Sequence, residues 1–334
     1  MSAGRDLLQV AIFVTLVAVL AATAQSGVVL NFAMMALYAC LMAQAWNLLG
    51  GYGGQFSFGH ALFFGTGAYV QAIAQLQGGI NAWIALPLAI AAAAVVGLFF
   101  GAVSFRYGLK GSYFALVTLA FAEVFRILAL SVPFTGAGVG LMLPLKQDLA
   151  HMQFADRRGF VWLALALVTL GLLVATWLRH SRFGAWLQAV RDNEDAARAI
   201  GVDPFRVKLG AIGLSGALMG AAGALYVQVF QYIDPGIAYG PHTSVEALVA
   251  AIVGGLGTLW GPVVGALVLH LLGEATRSLF GALPGISMVI YGAVLVAIVL
   301  FAPRGLLGLG QSVRGLWARQ APVADVPPQE TAHG

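Results

Sequence analysis

The sequence predicts an all-α polytopic membrane protein with about eight full transmembrane helices plus a broken half-helix hairpin, and three observations carry that prediction. The first is composition: 60% of the 334 residues are apolar, only 9% are charged, and mean hydropathy is +0.89, far from the soluble average. The second is the recurrence of apolar segments near the 20 residues a crossing needs. The third is the gathering of charge into one internal stretch, 179–208, which holds six of the 17 Lys and Arg. One membrane domain over 1–316 accounts for the length. After Trp317 the chain turns Pro-rich and polar, and 317–334 reads as a disordered tail.

Segments long enough to cross fall at 7–24, 29–48, 59–76, 82–104, 112–131, 160–178, 209–231 and 285–301. The first follows Arg5 and is longer than a signal h-region, so it reads as a retained span. Cys40 lies in the second and reads as a small packed hydrophobe; one thiol forms no internal disulfide. Two shorter pieces, 244–253 and 262–273, flank the helix-breaking run Gly254-Gly-Leu-Gly-Thr-Leu-Trp-Gly-Pro262 and read as half-helices of a hairpin. Basic residues in short loops stay cytoplasmic. Placing 179–208 inside also puts Arg5, Arg106, Lys110, Arg304, Arg314 and Arg319 inside, with both termini, and leaves Lys146, Arg157, Arg158 and Arg277 outside.

Within 179–208 the pattern predicts a short solvent-facing helix over 192–201. Asp192 is placed to cap it, with Asp195 in the capping-box position. Glu194 and Arg198 form an i,i+4 pair, and Arg191 is within reach of Glu194 or Asp195. Gly201 suits the left-handed residue beyond a helix end, and Pro204 forbids continuation. Ala196, Ala197, Ala199 and Ile200 fall on its less polar side. The plain alternative is a helix that merely connects two spans.

Gly50, Gly51, Gly53 and Gly54 would break a helix at membrane depth, which is tolerated where backbone is buried in protein or lines a wet cavity. Gln55, Ser57 and His60 beside that break could meet a polar solute; equally, the glycines could serve close packing, with His60 bonded to a neighbour. Gly97 and Gly101, Gly216 and Gly220, and Gly261 and Gly265 read as packing pairs. Glu123 and Arg126, i,i+3 near the middle of 112–131, can pair with each other or line a path. Glu246 and Glu274 sit near half-helix ends and His270 within one, where interfacial and packing roles are both open.

Enzyme chemistry finds no support. There is no GxxxxGK[ST] phosphate loop, HExxH, GxSxG or Cys/His cluster, so no catalytic or metal residue is assigned. Asp6 and Asp234 sit at span edges, not in a paired intramembrane constellation. An autonomous secondary transporter or channel is the alternative class; it would need no docking helix, and Glu123 is the central candidate for its ion relay.

Glu194-Asp-Ala-Ala-Arg-Ala-Ile-Gly201 resembles the EAA-type loop of ABC-importer permeases. More narrowly, the surrounding residues 182–226, Asn47-Leu-Leu-Gly-Gly-Tyr-Gly-Gly-Gln-Phe-Ser-Phe-Gly-His60, the Gly254–Pro262 run and Phe301-Ala-Pro-Arg-Gly-Leu306 resemble the LivM-type permeases of branched-chain amino acid importers. The resemblance covers residues from about 30 to 310. It implies a permease subunit importing branched-chain or other hydrophobic amino acids through the bacterial inner membrane by alternating access, or urea and short amides as some relatives do. Implied partners are a LivH-like second permease, two ATPase subunits that bind ATP and Mg, and a periplasmic solute-binding protein. The implied surroundings are membrane lipid, with no nucleic acid and no cofactor in this chain. Arg191, Glu194, Ala196, Ala197, Arg198 and Gly201 are then the expected ATPase-coupling residues; Gly53, Gly54, Gln55, Ser57, His60 and Glu123 are the path candidates.

Overall fold

The computed structural model describes residues 3–146, 148–280, 289–290, 292–293, 296–297, 300 and 305–308. Helices α1 (Ala3–Thr23), α2 (Gly27–Asn47), α3 (His60–Leu76), α4 (Ala82–Arg106), α5 (Gly111–Ser131) and α6 (Arg157–His180) follow in chain order. They are joined by α7 (Arg182–Asp192) and α8 (Glu194–Ala199) to α9 (Pro204–Phe230), α10 (Pro235–Tyr239), α11 (Pro241–Gly254) and α12 (Gly261–Phe280). Seven expected spans coincide with α1 to α6 and α9. Among the described residues six helices have the length and apolarity to cross; α3, at 17 residues, is the short one. Most of the expected span 285–301, and the whole 317–334 tail, lie outside the described residues.

α2 and α9 form the core. α9 packs against α4, α3 and α2, and α2 against α6, α11 and α12. Lipid is as apolar as Leu, so this packing gains from close approach rather than from expelling water. The glycine pairs serve it: Gly97 and Gly101 of α4 lie against Ile212, while Gly220 and Gly223 of α9 admit the backbones of α4 and α3. Gly261 and Gly265 press α12 onto Gly255 and Ala250. α1 touches the bundle along α6 and leaves Leu8, Leu16 and Val19 exposed, as a lipid-facing helix does. Its one buried charge, Asp6, accepts from Arg179 Nη1 at 2.9 Å and lies 3.0 Å from His180 Nε2.

That contact sorts the ends of the bundle. The start of α1, the α4–α5 turn, α7 and α8 share one end; the 132–156 connection lies at the other. There β1 (Leu141–Met142) pairs antiparallel with β2 (Tyr232–Ile233), with Leu141 opposite Ile233 and Met142 opposite Tyr232. Arg106 and Lys110 fall with α7 and α8, while Arg157 and Arg158 bond Asn31 and Ala24 at the opposite end, the sorting that the basic residues imply.

The hairpin breaks where expected, at 255–260, but its arms outrun their apolar stretches. α11 is 14 residues and α12 is 20, lengths of about 21 and 30 Å, so α12 is no half-helix. It continues through Glu274 and Arg277, whose side chains are exposed and 3.7 Å apart at i,i+3, because charged residues of high helix propensity extend a helix after its buried face ends.

Candidate functional site

Residues 179–208 form two helices, not one. Ser181 Oγ accepts from Gly184 N at 3.1 Å and starts α7. Gly184, Leu187 and Val190 face the core; Trp186 is half exposed. The Ser181 cap with Phe183, Leu187 and Val190 at i, i+4, i+7 is the signal that reveals α7. Its last residue is Asp192, so Asp192 does not cap α8. Asn193 does, its Oδ1 accepting from Asp195 N and Ala196 N at 3.0 Å each, because Asp192 is still held in the helical turn before it.

The far end of α8 closes as its glycine implies. Gly201 has φ +88°; Val202 N donates to Ala197 O at 3.0 Å and Gly201 N to Arg198 O at 3.1 Å, the paired bonds of a Schellman ending. Asp203 then caps α9 through Phe205 N and Arg206 N, and Pro204 takes its first position. Three of the expected coupling residues, Ala197, Glu194 and Arg191, are turned toward the protein. Ala197 is 2% exposed and packs inward. The outer surface is Asp195, Ala196, Arg198, Ala199 and Ile200.

Glu194 is an anchor more than a surface charge. Its carboxylate meets Lys208 Nζ at 2.7 Å, Lys110 Nζ at 3.0 Å and Arg198 Nη2 at 3.2 Å. Lys208 is almost fully buried and lies 5.6 Å from the centre of the Phe105 ring. Burial would push the Glu194 carboxyl upward; the hydrogen bonds and charges of Lys208 and Lys110 outweigh it and hold it below its ordinary value. α8 is thereby tied to α9 and to the α4–α5 turn.

Arg191 turns away from Glu194 and Asp195. It donates from Nε to Asp192 at 3.1 Å and from Nη1 to Gly51 O at 3.2 Å. α2 runs on through a π-helical turn, Leu48–Tyr52, before the helix ends, a local widening common at functional sites. Gly54, at φ +65°, would drive a Cβ into the Arg191 stem; Gly257, at φ +67°, comes up beside the Arg191 guanidinium and Gly51 O. Asn47, which the sequence does not single out, completes the junction: its Oδ1 accepts from Gly257 N at 2.8 Å and its Nδ2 donates to Thr258 O at 3.0 Å. The two glycine runs, far apart in sequence (Asn47 and Gly257 are separated by 210 residues), therefore meet under α7 at the α8 end of the bundle.

The chain climbs from that junction without helix through 53–59. Gln55 N bonds Leu49 O at 3.1 Å, and Gln55 Nε2 bonds Gly53 O at 3.2 Å. Beyond it, side chains alternate: Phe56 and Phe58 outward, Ser57 and His60 buried. His60 lies 3.1 Å from Ser57 Oγ and 2.8 Å from Ser215 Oγ, which itself donates to Ala45 O at 2.7 Å. The packing alternative describes Ser57 and His60 in this conformation; their polar atoms are met by protein. Glu123 and Arg126 do pair, in two bonds of 2.6 and 2.8 Å, but they sit near mid-helix on the outer face of α5, 44% and 31% exposed.

Comparison with known proteins agrees with this geometry. The family described as branched-chain amino acid transport system / permease component matches residues 28–299. The chain is 29% identical to the high-affinity branched-chain amino acid transport system permease protein LivM of Salmonella typhimurium, covering 87% of this chain and 72% of the relative. LivM of Escherichia coli is likewise 29% identical, over 83% and 69%, and Escherichia coli LivH is 25% identical, over 80% and 90%. No solved structure matches. A multi-pass helical bundle matched by that family over most of its length belongs to it: this chain is a member of the branched-chain amino acid transport system permease family.

Proposed function

We propose that this chain is the membrane-spanning permease subunit of an ATP-binding-cassette importer for branched-chain or other hydrophobic amino acids, with α8 docking on the ATPase. The observation that carries the reading is the junction at Arg191. A capped helix projects from one end of the bundle, and the residue beside it bonds the backbone of one chain break and lies against the other. A push on α7 and α8 thus reaches Leu48–Gly54 and Gly255–Trp260 directly, which is what alternating access requires of a subunit that binds no nucleotide itself. The ATPase subunits would bind ATP and Mg; this chain would be no enzyme.

A LivH-like permease would cover the outer face of α5. A half-exposed ion pair near the middle of a span is expensive against hydrocarbon, and a second subunit or a water-filled path between the two removes that expense. Two ATPases would sit at the α8 end, cytoplasmic with both termini, and a periplasmic solute-binding protein at the 132–156 end, in a bacterial inner membrane. Residues 1–316 would form the permease domain and 317–334 a disordered cytoplasmic tail.

The test is Arg191→Ala in the assembled importer. Basal ATP hydrolysis and assembly should persist, while solute uptake and solute-stimulated hydrolysis fall by a factor of about ten or more, the loss of one charge-assisted bond and its positioning. Uptake by the lone chain under a proton or sodium gradient would instead establish an autonomous transporter.

A further inference from the structure

At the end of the bundle opposite α8, a cavity of about 530 Å³ opens between α2, α9, α10, α11 and α12. Its size is that of a small-molecule site. Three of its wall rings, Tyr38, Phe64 and Tyr226, form a corner with centroid separations of 6.4, 5.9 and 5.6 Å. Glu246 shares the cavity with them and is open to water there. No described residue gives it a hydrogen bond or ion pair; His242, one turn earlier on α11, is its neighbour along the helix.

Within a membrane bundle, a carboxylate that no described residue bonds calls for a counter-charge beyond the imidazole of His242 one turn away. Aromatic faces beside a carboxylate suit an organic ammonium, which gains from the ring quadrupoles as well as from the ion pair. The rest of the wall divides by chemistry: Met35 and Ile237 are apolar, Arg277, His242 and His270 bring basic groups, and Glu274 is a second carboxylate beside Arg277. Among the described residues Arg277 pairs with Glu274, at 3.7 Å, and it is 75% exposed, so it can turn to a solute carboxylate. We propose that this cavity binds the primary ammonium of a small solute with an apolar body, Glu246 being the counter-ion, and so receives the amino group of a hydrophobic amino acid on its way through. The solute class rests on the importer reading above; the cationic preference rests on the cavity.

The same ammonium chemistry is carried by phosphatidylethanolamine, and the experiment separates the two. The full-length chain is placed in phosphatidylcholine nanodiscs, and binding is read by saturation-transfer NMR with L-leucine, with isoamylamine, which lacks the carboxylate, and with 4-methylpentanoate, which lacks the amine. Leucine and isoamylamine should bind and compete, 4-methylpentanoate should not, and Glu246→Gln should weaken both ligands at least tenfold. Ile237→Trp, which fills the cavity and keeps the carboxylate, should block both and decides the matter if Glu246→Gln does not fold. Undiminished binding in both variants, or competition by the acid alone, overturns the proposal. Loss of the leucine signal when phosphatidylethanolamine is added assigns the cavity to a lipid headgroup and overturns it too. Because no ATPase is present, failure here leaves the importer reading to stand or fall on the Arg191 experiment.

Discussion

Glu194 shows how little of a residue's job is visible from its place in a motif. The i,i+4 spacing to Arg198 is plain in the sequence and is present at 3.2 Å, yet the shorter contacts are to Lys208 and Lys110, which no local pattern pairs with it. Removing one partner of a buried ion pair costs about 3–5 kcal/mol. Glu194→Lys, which strands Lys208 and adds a fourth cation to Lys208, Lys110 and Arg198, should therefore release α8 from the bundle and abolish solute-stimulated ATP hydrolysis, while the protein still inserts. Amide hydrogen exchange across 194–203 and ATPase assays on the complex check both. The pH dependence follows from the sign of the shift. A carboxyl whose folded pKa lies below its ordinary value stabilises fully above that ordinary value and loses the contribution as pH falls through the folded one. Protection of α8 should hold at neutral pH and fade only in acid below about pH 4.5, and Glu194→Gln should lack that acid step.

At the scale of the element, α8 is six residues long, far too short to hold itself together, and its two ends supply what its length cannot. In Gly201→Val the added Cβ meets nothing within 4 Å, so the effect expected is the strain of a β-branched residue at φ +88°. That strain is about 1–2 kcal/mol, with a further ~1 kcal/mol for losing the cap in Asn193→Ala. Each variant should speed exchange in 194–203, lower coupled transport, and leave the thermal unfolding of the bundle unchanged. Asp192→Ala should do much less, because Asp192 ends α7 and caps nothing. α7 itself was legible from the Ser181 cap and the spacing of Phe183, Leu187 and Val190; the density of charge around it draws attention to a loop instead.

Across the whole molecule, the alternation in 55–60 predicts an accessibility pattern. In a Cys40→Ser background, cysteines replacing Phe56 and Phe58 should react with a water-soluble thiol reagent in detergent, and those replacing Ser57 and His60 should be inert. If this segment moves with the ATPase, the pattern should change when nucleotide is added to the assembled complex. Uniform reactivity from 55 to 60 would contradict the His60–Ser57–Ser215 packing, and a pattern blind to nucleotide would place the moving path elsewhere.

Sequence alone determined the class and the places of seven of the expected helices, because a bilayer demands a run of about 20 apolar residues and tolerates few charges, and such demands are written residue by residue. It also determined the ending of α8, since a left-handed glycine and a following proline act within one turn of chain. What it left open were the meetings. Nothing in the local pattern places Asn47 against Gly257, turns Arg191 from Asp195 toward Gly51, or buries Ala197 while exposing Ile200. Those depend on α2, α7 and α11 arriving at one end of a bundle packed through glycines. Helix termini that share a site are chosen by tertiary packing, and local periodicity carries no information about which ends will meet.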